Sequence, residues 1–96
     1  MSAPAASSIP PSLRTELRPG YPWTARLAGH EGLVVVEVDI DAAGVVISAR
    51  IAATSGYGEL DQAALEAVRA ARFEPAYHGA RGVPSRVSIP VRFRLR

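Results

Sequence analysis

Ninety-six residues, 48% apolar and 21% charged, make a single globular domain with a modest core and exclude a wholly disordered chain. The net charge of +2 is too small to point to nucleic acid by itself, and the high pI of 9.7 follows from eleven basic residues that are all arginine. The absence of cysteine excludes a disulfide framework, a thiolate nucleophile and a cysteine-held metal, and no stretch supplies the roughly 18–20 apolar residues of a membrane span.

The chain opens on "MSAPAASSIPPS", which offers almost nothing to bury and has neither the basic start nor the apolar centre of a signal peptide. Such Pro-rich composition predicts an extended, solvated spacer. Residues 1–18 are therefore expected to be the flexible remnant of a linker, and residues 19–96 the folded domain. "YPWTARLAG" predicts a short helix, with Pro22 at its first position and Gly29 at its stop. In "EGLVVVEVDID", Val34, Val36, Val38 and Ile40 share one face and Glu37 and Asp39 the other, the period of a strand. Asp41 to Gly44 is a tight reversal, and "VVISARIAATS" returns as a second strand with Ile47, Ala49 and Ile51 turned to the core.

"ELDQAALEAVRAARF" predicts the main helix. Leu60, Ala64, Leu65, Val68 and Ala71 form its apolar stripe, with acids in or just before the first turn and arginines in the last. "EPAYHGARGVP" reads as a loop. "SRVSIPVRFRLR" then alternates strictly: Val87, Ile89, Val91, Phe93 and Leu95 on one side, Arg86, Ser88, Arg92, Arg94 and Arg96 on the other. A helix between the second and third strands implies a crossover over one sheet face. The expected fold is α+β: a three-stranded antiparallel or mixed sheet of order 2-1-3, a short N-terminal helix, and one crossover helix on one face. The last strand is an exposed edge, the only place where Pro90 can spare its N–H.

No catalytic constellation is present. His30 and His78 fall beside glycines with no partner at ligand spacing. "DIDAAG" lacks the third ligand and the closing Glu of a calcium loop, and Ser55 has no nucleophile-elbow context. No cofactor or metal is expected. The arginine row could meet phosphate, but no aromatic is interleaved on its solvent-facing side, so a basic nucleic-acid-binding domain is the weaker alternative.

The ordered set Tyr21-Pro22, Glu31-Gly32, Ile40-Asp41 with Gly44, and Ser55-Gly56 resembles the C-terminal domain of TonB proteins. Leu60-Asp61 with Ala63-Ala64-Leu65, Arg72-Phe73 with Pro75, and Ile89-Pro90-Val91 with Phe93 complete the likeness, which covers residues 21–95. It implies the periplasmic domain of an energy transducer anchored in the inner membrane and driven through ExbB and ExbD by the proton-motive force. The anchor is absent from this sequence, which is therefore expected to be a truncated chain. The resemblance also implies that the TonB box of an outer-membrane transporter adds as a strand beside the last strand, with no catalysis. A TolA-like or dedicated periplasmic adaptor of the same fold is the alternative.

If the blank of Pro90 faces outward, Ser88, Arg92 and Arg94 present main-chain groups to the partner, Arg86 and the other arginines supply attraction, and Tyr21 and Pro22 lie near the contact. An unpaired edge also predicts strand-exchanged homodimers.

Overall fold

The computed structural model describes residues 8–95. In chain order its elements are β1 (Ser8–Ile9), β2 (Ser12–Leu13), α1 (Trp23–Ala28), β3 (Gly32–Ile40), β4 (Val46–Ala53) and α2 (Gly58–Ala70). There follow β5 (Phe73–Glu74), β6 (Ala76–His78), β7 (Arg81–Val83) and β8 (Ser85–Phe93).

The main sheet is β4-β3-β8, antiparallel throughout, which is the order the sequence pattern predicts. Its centre is β3. Alternate residues Val34, Val36, Val38 and Ile40 are fully buried, each worth about 1.5–3 kcal/mol of apolar transfer. They meet Leu60, Ala64 and Val68, the buried stripe of α2, together with Ala25 of α1 and Phe73, Val91 and Phe93. Both helices therefore serve one face of the sheet. The other face carries Glu37, Asp39, Ser48, Arg50 and Arg86, whose side chains make polar contacts with one another.

Local chemistry closes β3 and α1. The Asp41 carboxylate accepts hydrogen bonds from the N–H groups of Ala43 and Val45, both at 2.9 Å, so this aspartate builds the β3–β4 turn. Gly44 stands at φ 89°, and a Cβ there would run into the Phe73 carbonyl; only glycine lets the turn lie against β5. Gly29, in the left-handed conformation, stops α1. Pro22 precedes α1 as its cap rather than occupying the first helical position. Trp23, the first residue of α1, is mostly exposed.

Three differences from the sequence expectations have physical causes. Ile47, expected in the core, is 64% exposed. The register runs Ile40↔Val46 and then Asp39↔Ser48, so Ile47 is the extra residue of a β-bulge and Val46 takes the inward position instead. The loop expected over residues 74–84 contains a hairpin. β6 pairs with β7 around Gly79-Ala80, with positive φ at Gly79 alone, the pattern of a type II′ turn.

Finally, the expected spacer over residues 1–18 differs from Ser8 onward. β1 pairs with β6, β2 pairs with β5, and Leu17 packs against the core. Residues 1–7 and Arg96 lie outside the described residues.

Candidate functional site

β8 is the long edge of the main sheet, and its nine residues pair with β3 without a break, from Gly32↔Phe93 to Ile40↔Ser85. On the inner face, Val91 and Phe93 are buried and Val87 and Ile89 half-buried; Arg86, Ser88, Pro90 and Arg92 point outward and are exposed. Pro90 stands opposite Val35. In an antiparallel ladder, pairs that exchange hydrogen bonds alternate with pairs whose main-chain groups turn away from each other. A proline fits only the second kind. The same parity makes Asp39↔Arg86, Glu37↔Ser88 and Leu33↔Arg92 pairs of that kind too, with N–H and C=O groups directed away from β3.

The opposite edge, β4, differs. Its pairing with β3 slips twice, between Val35 and Val36 and between Asp39 and Ile40. Bulges of this sort twist an edge and interrupt its row of main-chain groups, so β4 is blunted where β8 is regular.

Electrostatics divide β8 in two. Arg86 donates to Asp39 at 2.7 Å, and Asp39 also accepts from Ser48 at 2.7 Å and Arg50 at 3.1 Å. Hydrogen bonds from Arg86, then Ser48 and Arg50, hold the Asp39 carboxyl well below the ordinary range. Arg50 reaches Glu37 as well, at 2.5 Å. Arg92 and Arg94 join no ion pair among the described residues.

Tyr21 and Pro22 sit at the far end of β8. The Tyr21 ring packs edge-on against Phe93, centroids 5.4 Å apart at 90°; its hydroxyl donates to the His30 carbonyl, and the Arg26 guanidinium lies over it. Burial, then the nearby Glu31 carboxylate, raises the Tyr21 pKa. Glu31 in turn accepts from the Leu95 N–H at 2.6 Å, tying down the chain beyond β8. Tyr21 is thus half-buried structure at the C-terminal end of the edge, separate from the Ser88–Arg92 stretch. Beside it, residues 20–22 and Glu59, Gln62, Ala63 and Glu66 line an open cleft of about 410 Å³.

One cluster escapes sequence reading. His30 stacks on Tyr57 at 3.8 Å, and its Nδ1 lies 2.5 Å from Glu59, whose pKa is lowered first by that hydrogen bond. The partners are 29 residues apart, and nothing local in the sequence announces them. The cluster fastens the start of α2 to the α1–β3 corner. No group of three or more metal-ligating side chains occurs among the described residues.

Residues 18–95 match the sequence model of the family described as the C-terminal region of the Gram-negative bacterial TonB protein. Protein TonB of Vibrio cholerae is 40% identical over 98% of this chain, which spans 38% of that protein's length. Among solved structures, the Pseudomonas aeruginosa TonB C-terminal domain superposes with a TM-score of 0.71 at 26% identity, covering 88% of this chain and 84% of that one. The Helicobacter pylori TonB C-terminal domain gives 0.67 at 29% identity, covering 81% and 70%.

Proposed function

Because this chain belongs to the family of TonB C-terminal domains, a non-enzymatic one, we propose that it is the receptor-gripping periplasmic domain of an energy transducer. It binds by taking a short segment of an outer-membrane transporter as a fourth strand beside β8. In the complete transducer, an inner-membrane anchor working with ExbB and ExbD draws on the proton-motive force, and the pull passes through a linker into this domain and on to the transporter.

The observation that supports this reading is the character of the β8 edge. It offers nine residues in unbroken register, with Pro90 at the position where a missing N–H costs the sheet nothing. Strand addition draws affinity from main-chain hydrogen bonds and specificity from side chains on alternate positions. The main-chain groups of Ser88 and Arg92 flank Pro90 on that edge, Arg94 extends the row, and the partner skips the proline.

Two proline substitutions separate the edge from the core. Val91→Pro removes a donor that faces β3 and disturbs a buried side chain, at a cost of about 3 kcal/mol or more, and the domain is expected to lose its cooperative fold in urea. Arg92→Pro removes a donor that faces outward; the fold survives and affinity for a transporter peptide falls roughly tenfold or more. Wild-type affinity in a folded Arg92→Pro protein would sink the edge assignment.

A further inference from the structure

We infer that the incoming strand is read by charge at one end of β8 only: Arg92 selects a carboxylate side chain on the outer face of the partner strand, and Arg86 does not. This rests on strand addition at β8 and names the chemistry of the strand that fits there.

The register carries the inference. On the outer face, each residue of β8 has one cross-strand neighbour on β3 and an empty position on its free side. Arg86 faces Asp39 and is bound by it; Ser88 faces Glu37, which holds Arg50. At that end, the acids of β3 already answer the arginines. Further along, Pro90 faces Val35, and Arg92 faces Leu33, an aliphatic side chain 38% exposed. No carboxylate lies within 4.0 Å of Arg92 or Arg94 among the described residues.

Arg92 therefore has a cation with a hydrocarbon on one side and a vacant strand position on the other. An opposite charge directly across that vacancy makes a favourable cross-strand pair, and Arg94 beyond it adds to the same local field. A carboxylate placed beside Arg86 gains less, because it meets a guanidinium already neutralised and the Asp39 charge behind it. The asymmetry also fixes register. A strand with a single acid gains most when that acid lies at the Arg92 end, and slips of two residues, which keep the same face outward, become distinguishable.

The test uses nine-residue peptides from the N-terminal segment of an outer-membrane transporter, identical except that a single glutamate occupies successive outer-face positions. They are titrated at low salt into the labelled protein, with intermolecular NOEs fixing register. The peptide whose glutamate lies across from Arg92 is expected to bind roughly two- to fivefold more tightly than its isomers, or the isomers to slip until their glutamate reaches Arg92. The preference disappears in Arg92→Gln, persists in Arg86→Gln, and shrinks as salt is raised.

Equal affinities at unshifted register, or a preference that survives Arg92→Gln, would overturn the inference while leaving strand addition in place. No perturbation of the Ser88 and Arg92 amides by any peptide would overturn strand addition itself, and this inference with it.

Discussion

At Pro90 the chain gives up a main-chain donor in the middle of its longest uninterrupted pairing, where only a free edge can spare one. Other single residues carry equally specific duties. Asp61, at the start of α2, accepts from the Ser55 N–H at 3.0 Å, the Ser55 hydroxyl at 2.8 Å and the Thr54 hydroxyl, so one carboxylate closes the β4–α2 connection. Burial works against its charge, the hydrogen bonds from Thr54 and Ser55 outweigh burial, and its pKa is lowered.

The sign of the pH effect follows. A carboxyl depressed below the unfolded value of about 3.9 contributes stability that is present above that pH and is lost as the pH falls through its folded value. Asp61→Asn is expected to cost about 1 kcal/mol near neutral pH, a modest figure because the site is largely solvated. It should cost clearly less near pH 2. Urea unfolding at the two pH values checks this; an equal loss at both would mean that the charge plays no part.

At the scale of elements, β8 and α2 are legible from sequence because their patterns serve one buried face each. Val87 to Phe93 alternate with period two, and Leu60, Ala64 and Val68 repeat at helical spacing. The Asp41 and Gly44 turn is legible for the same reason: its chemistry is local. The missed parts depend on distant residues. β6 and β7 are three residues each, joined by Gly79-Ala80, too short to show a period. β1 and β2 exist only because β6 and β5 offer partners some 60 to 70 residues on. The cluster of His30, Tyr57 and Glu59 joins two elements that no spacing rule connects.

The bulge in β4 is a further case, and it is testable. Pure alternation turns Ile47 inward together with Ala49 and Ile51; one extra residue turns Ile47 outward and Val46 inward while Ala49 and Ile51 keep their face. Ile47→Thr should therefore change stability by no more than about 0.5 kcal/mol, whereas Ile51→Thr, half-buried against the core, should cost roughly 1–2 kcal/mol. A large loss for Ile47→Thr in thermal or urea unfolding would return it to the core and remove the bulge from β4. With the bulge, the two edges of one sheet differ: the pairing of β4 is interrupted and that of β8 is unbroken.

Among the described residues, helices cover one sheet face and leave the other to a charged network, with no second layer over it. The outward residues of β8 are rich in arginine, which discourages chance pairing between copies of the chain and favours a partner of opposite charge. Glu31, through the Leu95 N–H, and Tyr21, through Phe93, secure the C-terminal end of the edge strand against the body. A force applied to a strand lying along β8 thus reaches the centre of the fold through β3, the best-buried element.

Titration of the labelled domain with a TonB-box peptide from an outer-membrane transporter, followed by amide hydrogen exchange, probes strand addition at β8 directly. Strand addition predicts shifts along Ser85–Phe93 and new protection of the Ser88, Arg92 and Arg94 amides, with those of β4 unchanged. Protection that appears on β4, or binding that leaves the β8 amides exchanging as before, would contradict it.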